Sequence, residues 1–274
     1  MLRQRLLSAA ILIPLVALVL WSGPRACAGL LALVAVLGGW ELASLLNGLG
    51  WPAPRFLPAA ALVIFVASLA GLLGPVLVPL AFLCWIVPLV WLFWPPSAPA
   101  ARRGLAAWGV HLLGAFYLGL FPAYLARLER GPWDANAGAD GPRWIFFALL
   151  IIWACDTGAY AVGYLFGRHK LWPSVSPKKT WEGALGGLMA STLVGAALAG
   201  PLAQMRSAGT GALLGAAASV AGQLGDLIES RVKRSARVKD SGALIPGHGG
   251  ILDRLDSLLF AAPLFYYGLR ELTR

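Results

Sequence analysis

Charged residues are scarce in this sequence: they make up 12% of its 274 residues, whereas 59% are hydrophobic and the mean hydropathy is +0.74. A soluble protein carries roughly 25% charged residues, so this composition excludes a soluble globule. A membrane β-barrel would need repeated segments of about 10 residues in which apolar and polar residues alternate, and such segments are not the recurring pattern of this sequence. Apolar runs of about 18 to 25 residues recur instead, the length that a helix needs to cross a bilayer. We therefore predict an all-α, polytopic integral membrane protein.

Several motifs that the sequence lacks exclude particular classes of function. Three cysteines without a CxxC spacing indicate neither a disulfide framework nor a zinc site. No phosphate-binding P-loop motif is present, and the Gly209-Thr210-Gly211 segment follows no strand, so no dinucleotide fingerprint is indicated. The net charge of +10 fits membrane orientation and contact with anionic lipid or phosphate, so we expect no nucleic-acid partner. Two pairs of glycines, each with a spacing of four residues, are expected to let helices pack closely. They are Gly163 and Gly167, and Gly211 and Gly215.

The apolar runs predict about nine transmembrane helices. They are Leu6 to Trp21, Ala26 to Leu46, Phe56 to Leu73, Val76 to Trp94, Leu105 to Leu128, Trp144 to Phe166, Ala184 to Leu202, Ala208 to Ile228 and Ile251 to Leu269. With the N-terminus inside, Lys and Arg favour the cytoplasmic segments by about two to one, which predicts a cytoplasmic N-terminus and an external C-terminus. The localisation is then the cell membrane.

Acidic residues and lysines are concentrated in the second half of the chain. Glu41 is the one acidic residue before Leu128, whereas seven fall between residues 156 and 256, together with all five lysines. We therefore predict an N-terminal scaffold of about five helices in residues 1–143. Residues 144–274 are predicted to form a catalytic region with two cytoplasmic loops.

Carboxylates within membrane helices cost about 2.5 to 3.5 kcal/mol each at the helix centre and normally face a polar interior. Asp226, Glu229 and Lys233 share one helix face, and Asp253 and Asp256 lie three residues apart where the next helix begins. These acids indicate a functional cluster. The alternative is a set of surface ion pairs, in which Lys233 serves the first pair of acids and a nearby arginine serves the second.

Between these helices lies a loop rich in cations and glycines. Clustered cations, followed by glycines that let backbone N–H groups approach a ligand, suit a polyphosphate. Flanking carboxylates suit Mg²⁺, which prefers oxygen ligands. The loop therefore predicts a metal–phosphate site, although its cations alone could orient the chain and its glycines could form a plain turn.

The same residues resemble the signature of the phosphatidate cytidylyltransferases, also called CDP-diacylglycerol synthases. The similar positions are Ser230, Val232, Lys233, Arg234, Lys239, Asp240, Gly242, Ile245, Pro246, His248, Gly249, Gly250, Ile251, Asp253, Arg254, Leu255 and Asp256. Upstream blocks at residues 156–160, 176–183 and 225–230 are similar to motifs of that family. The resemblance covers about the last 120 residues and implies transfer of a cytidylyl group from CTP to phosphatidate, with Mg²⁺.

The resemblance also implies roles for particular residues. Asp226 and Asp253 are expected to bind Mg²⁺, with Asp256 and Glu229 as alternate ligands. Lys239 and His248 complete the expected catalytic set, His248 either donating to the departing pyrophosphate or serving as a turn residue. Substrate binding is expected from Ser176, Lys178, Lys179, Thr180, Lys233, Arg234, Asp240, Gly249, Gly250 and Asp156. For Asp156, deep in the sixth predicted span, a structural role as a protonated acid is the alternative.

Two rival functions differ in location and chemistry. An ion-coupled transporter would place its acids at the midplane between repeated halves, whereas these acids cluster at one membrane face. A CTP-dependent lipid kinase shares the nucleotide and the membrane, and only the products distinguish it. The sequence is compatible with a homodimer and with a second, monovalent cation beside Mg²⁺.

Overall fold

The structure is a computed structural model that describes residues 2–50, 56–74, 79, 82–83, 86–87, 103–130, 141–245, 247 and 249–272. Within these residues the chain forms eight α-helices and one two-stranded antiparallel sheet. The elements are α1 (Leu2–Trp21), α2 (Pro24–Gly48), α3 (Leu57–Leu69), α4 (Arg103–Arg130), α5 (Gly141–Phe166), β1 (Lys170–Trp172), β2 (Ser176–Thr180), α6 (Trp181–Leu198), α7 (Ala208–Ser235) and α8 (Leu252–Leu272). The predicted helical fold is confirmed, and the small sheet is an addition that we did not predict.

Four helices are long and apolar enough to cross a membrane, judged by length and composition. The candidate spans are Pro24–Gly48, Gly109–Glu129, Gly141–Phe166 and Ala208–Ser235. They coincide with the second, fifth, sixth and eighth predicted spans. The protein is therefore a helical membrane protein.

The other predicted spans differ in length. α3 has 13 residues, so it is roughly 20 Å long at 1.5 Å per residue, short of a bilayer core of about 30 Å. The first, seventh and ninth predicted spans coincide with α1, α6 and α8. The fourth, Val76 to Trp94, lies almost wholly outside the described residues.

The chain divides into two compact units, each discontinuous in sequence. Unit 1 comprises Met1–Ala126 and Arg231–Leu255, and unit 2 comprises Arg127–Ser230 and Asp256–Arg274. Helices α4, α7 and α8 therefore contribute residues to both units. The predicted boundary at residue 143 divides the chain by role, and it stays a prediction.

In unit 1 the helices pack through small and aliphatic residues. Leu46 of α2, Leu57 of α3 and Ala115 of α4 belong to one buried cluster. Gly39 allows α2 and α3 to approach closely, because a Cβ there would lie 2.8 Å from the Cα of Pro58. This packing fixes the part of α2 that precedes Leu46, which includes Glu41.

In unit 2 glycines allow three helices to pack closely. A Cβ on Gly158 of α5 would lie 2.6 Å from the Cβ of Ala190 on α6. A Cβ on Gly211 or Gly215 of α7 would overlap backbone oxygens of α6. The prediction is confirmed for Gly211 and Gly215, because close backbone approach is what small residues permit between membrane helices. A Cβ on Gly163 of α5 would lie 3.4 Å from Gly183 Cα of α6, whereas Gly167 follows α5 and a Cβ there would overlap the backbone oxygen of Gly163.

Candidate active site

The first predicted substrate-binding segment forms β2 and the start of α6. Ser176 precedes a proline, which disfavours the helical conformation and keeps Ser176 extended. Thr180 ends the strand and caps α6, since its hydroxyl accepts a hydrogen bond of 3.1 Å from the backbone N–H of Gly183. Successive strand residues point to opposite faces, and here Lys178 is exposed whereas Lys179 is half-buried.

Glu182, in the first turn of α6, ties that helix to the chain before β1. Its Oε1 lies 2.6 Å from Nδ1 of His169, and its carboxylate accepts hydrogen bonds from the backbone N–H groups of Arg168 and His169. Hydrogen bonds from its own backbone N–H and from His169 lower the pKa of Glu182 from 4.5 to about 2. The carboxylate is therefore ionised throughout the physiological pH range.

Lys179 forms an ion pair with Asp226 of α7. Its Nζ lies 2.6 Å from Asp226 Oδ2, and the hydroxyl of Ser230 donates to Asp226 Oδ1 at 3.1 Å. The Lys179 and Asp226 side chains are 26% and 32% exposed, so water reaches the pair. The structure thus brings together two predicted site residues that lie on different elements.

Lys233, at the end of α7, forms an ion pair with Asp253 in the first turn of α8. Its Nζ lies 2.5 Å from Asp253 Oδ1, and the two side chains are 9% and 5% exposed. Asp253 Oδ2 accepts hydrogen bonds from the Ser241 backbone N–H at 2.7 Å, the Ser241 hydroxyl at 3.0 Å and the Gly250 backbone N–H at 2.8 Å. Asp253 is therefore held by three residues of the signature region.

The environment of Asp253 favours its ionised form. Its carboxylate accepts hydrogen bonds from the Lys233 ammonium group and from the Gly250 backbone N–H, and both bonds stabilise the negative charge. The alternative considered from sequence paired Lys233 with an acid, and the structure shows Asp253 of α8 as a partner of Lys233.

Glu41 of α2 is the residue that the sequence reasoning missed. It is 8% exposed, and its carboxylate accepts hydrogen bonds from the Ser241 hydroxyl and from the backbone N–H groups of Ile251 and Leu252. The sequence did contain a sign of this role: Glu41 is a lone acid in an apolar helix, and a carboxylate in such a helix needs polar partners.

The signature glycines leave room for carboxylates in this structure. Gly249 has φ +83°, a conformation that suits glycine, and a Cβ there would lie 2.6 Å from Asp253 Oδ2. A Cβ on Gly250 would overlap Ser241 Oγ and Glu41 Oε2. The approach of these glycines to a triphosphate stays a prediction.

The remaining predicted site residues of the signature lie at the end of α7 and in the loop before α8. Arg234 donates from Nη1 to the backbone oxygen of Val238 at 3.0 Å, which closes the C-terminal end of α7. Lys239 and Asp240 are exposed on the loop. His248 lies outside the described residues.

Three further predicted acids differ in their exposure to solvent. Asp156 is exposed on α5, and Glu229 of α7 and Asp256 of α8 are half-buried. Within the described part of the chain, no three His, Cys, Asp or Glu side chains form a group that could hold a metal ion. The carboxylates of Asp226 and Asp253 nevertheless offer the hard oxygen donors that Mg²⁺ prefers, and Mg²⁺ usually takes one or two carboxylates, with substrate phosphates and water.

The fold and these contacts define a class of protein. It is a helical membrane protein in which two acids, Asp226 and Asp253, pair with lysines. The sequence profile of the cytidylyltransferase family matches residues 3–272. The chain belongs to the cytidylyltransferase family.

Individual relatives agree with this assignment. A phosphatidate cytidylyltransferase of Synechocystis sp. is 38% identical over 288 residues, covering 96% of this chain and 95% of that relative. Enzymes with the same name from Staphylococcus epidermidis and Staphylococcus aureus are 50% and 49% identical over 126 and 132 residues. The chain spans about half the length of these two relatives, 48% of each, and the matched part is 46% of this chain.

Proposed function

We propose that the chain is a phosphatidate cytidylyltransferase, which uses CTP and phosphatidate to make CDP-diacylglycerol and pyrophosphate for phospholipid biosynthesis. The observation that carries the proposal is the relative of that name that is similar over 96% of this chain. The two acid–lysine pairs support it, because each involves a residue of the signature or of an upstream motif.

In the proposed reaction a phosphate oxygen of phosphatidate attacks the α-phosphorus of CTP. A new P–O bond forms there, the bond to the bridging oxygen of the β-phosphate breaks, and pyrophosphate leaves. The attacking oxygen is already an anion at neutral pH, so no general base is required. Positioning and charge neutralisation are then the main tasks of the protein.

The paired residues are suited to those tasks. Asp226 and Asp253 would hold Mg²⁺, with Glu229 and Asp256 as alternate ligands. Bound Mg²⁺ would neutralise phosphate charge and orient the triphosphate. Lys179 and Lys233 keep the two carboxylates in defined orientations and place cationic charge beside them.

Other residues of the two loops would bind the substrates. Ser176, Lys178 and Thr180 would contact the phosphatidate head group or the nucleotide. Lys239, Arg234, Asp240, Gly249 and Gly250 would contact the triphosphate, and His248 would donate to pyrophosphate as it leaves. Asp156, which is exposed on α5, would contact the bound substrates. A homodimer and a second, monovalent cation beside Mg²⁺ are both compatible with this chemistry.

We further propose about nine membrane helices, with both loops on the cytoplasmic face. CTP is a cytoplasmic nucleotide, and all five lysines lie in the two loops assigned to that face. This orientation would give the enzyme access to its nucleotide and to the lipid in the same leaflet.

The deciding experiment follows the phosphorus atoms of CTP. The full chain, in detergent with phosphatidate and Mg²⁺, is given CTP labelled at the α-phosphate or at the γ-phosphate. We expect the α-label in the lipid phase and the γ-label in pyrophosphate. Label from the γ-position in the lipid would indicate a lipid kinase, and no lipid label from either position would refute the proposal.

A matched pair of variants links the activity to the site. Asp226→Asn should reduce the α-label in the lipid by orders of magnitude, because it removes a proposed metal ligand. Glu271→Gln, which changes an acid that is 61% exposed near the end of α8, should leave the rate unchanged. Equal rates in both variants would contradict the role of Asp226.

A further inference from the structure

Glu41 is a buried carboxylate in a helix that is a candidate membrane span. Such a charge is costly unless hydrogen bonds satisfy it. Both of its oxygens are used: Oε1 accepts from the Ile251 N–H at 2.8 Å, and Oε2 accepts from the Leu252 N–H at 3.0 Å and from the Ser241 hydroxyl at 2.8 Å. All these partners belong to the signature region, about 200 residues further along the chain.

These bonds cap α8 from outside the helix. The helix begins at Leu252, and its first backbone N–H groups have no partner within the helix. Ile251, which precedes it, has an apolar side chain and cannot cap the helix. Glu41 supplies the acceptors, and its negative charge lies at the positive end of the helix dipole.

Glu41 is also linked to Asp253 through one hydroxyl group. Ser241 Oγ lies 2.8 Å from Glu41 Oε2 and 3.0 Å from Asp253 Oδ2, and a hydroxyl has a single proton to donate. The backbone of Gly250 and Gly242 passes directly beside Glu41, since a Cβ on Gly242 would lie 2.7 Å from Glu41 Oε1. The orientation of Asp253 therefore depends on the position of Glu41.

We infer that Glu41 is a positioning residue for cytidylyl transfer: it holds Ser241, Ile251 and Leu252 so that Asp253 and Lys233 are correctly oriented. This inference rests on the proposed function. It gives the N-terminal half of the chain a direct part in building the site. Glu41 acts through Asp253 and does not itself contact the substrates.

The test compares three variants of α2 in the full chain in detergent. Glu41→Gln keeps the size, but its amide NH₂ would face a backbone N–H donor, so one of the two backbone bonds is lost. Glu41→Asp keeps the charge with a shorter side chain. Ser44→Ala is the matched control, because Ser44 is exposed and its hydroxyl donates to Trp40 O of the same helix.

We expect Glu41→Gln to lower kcat by roughly a hundredfold, the loss that a small misplacement of a reacting group causes. KM for CTP should change less than kcat, Glu41→Asp should recover part of the rate, and Ser44→Ala should match the wild type. Backbone amides of Ile251 and Leu252 should exchange faster in Glu41→Gln than in the wild type. A normal kcat per folded molecule, with only a lower melting temperature, would overturn the inference.

Two further measurements keep the outcome decisive. Ser241→Ala should slow the reaction, and adding it to Glu41→Gln should cost little more, because the two residues act through the same contact. If Glu41→Gln does not fold, the rates of Ser241→Ala and Glu41→Asp decide the question. A wild-type kcat in both of these variants would overturn the inference. A wild type that transfers no α-label would refute the proposed function, whereas unchanged amide exchange in Glu41→Gln would refute the contact itself.

Discussion

Replacing Asp253 should damage stability as well as activity. Asp253→Asn keeps the size of the side chain but removes the negative charge that lies against the ammonium group of Lys233, whose side chain is only 9% exposed. Removing one partner of a buried ion pair costs about 3 to 5 kcal/mol. At roughly 2 to 4 °C per kcal/mol for a chain of this size, the melting temperature should fall by roughly 6 to 20 °C.

A compensated variant separates stability from chemistry. Adding Lys233→Met to Asp253→Asn removes the remaining charge of the pair, and a buried charge left without its partner is the main cost of losing one member. We expect the double variant to regain its melting temperature while transfer of the α-label stays at least about a hundredfold below normal, a typical loss when one stabilising group is removed. The assays are thermal unfolding in detergent and initial rates across a Mg²⁺ titration.

Asp226→Asn provides the comparison. Its ion pair with Lys179 is partly exposed to water, so its loss should cost only about 0 to 1 kcal/mol, with a rate loss similar to that of Asp253→Asn. Normal stability of Asp253→Asn would refute the buried pair. A near-normal rate of the double variant at saturating Mg²⁺ would refute the role of Asp253 in the reaction.

Three further predictions concern other parts of the site. Gly250→Ala should abolish most activity because its Cβ would overlap two side-chain oxygens, whereas Gly200→Ala, which has no atom within 4 Å of its Cβ, should be active; rates and melting temperatures check both. Folding lowers the pKa of Glu182 from 4.5 to about 2, so the ionised carboxylate stabilises the folded state. This contribution should be fully present above pH 4.5 and lost as the pH falls through about 2. Its loss should be seen as faster amide exchange at His169. A cysteine replacing the exposed Ser174 should be protected from an impermeant thiol reagent in intact cells, and labelling from outside would contradict the cytoplasmic loop.

Sequence patterns predicted the helices because hydrophobicity along a continuous run is a local property. The apolar runs beginning at Ala26 and Trp144 coincide with α2 and α5. The hairpin at residues 170–180 was missed because its second strand is Ser-Pro-Lys-Lys-Thr, which lacks the β-branched and aromatic residues typical of strands. That strand forms through pairing with β1 and ends at Thr180, whose backbone is extended and whose hydroxyl caps α6.

The candidate site was predictable in its residue types but not in its pairings. A cluster of acids and lysines with signature glycines identified Asp226, Lys179, Asp253 and Lys233 individually. The alternative to a functional cluster paired Lys233 with an acid on its own helix face, at the spacing that brings side chains together. The structure pairs Lys233 with Asp253, because α8 begins beside the end of α7.

By itself the sequence determined that this is a helical membrane protein with the cytidylyltransferase signature, since composition and motifs are read along the chain. Only the tertiary structure decided that Lys179 pairs with Asp226 and Lys233 with Asp253, and that Glu41 binds Ser241 and the first turn of α8. The physical reason is that ion pairs and hydrogen bonds depend on distances of about 3 Å. Residues separated by 200 positions reach such distances only when the helices pack.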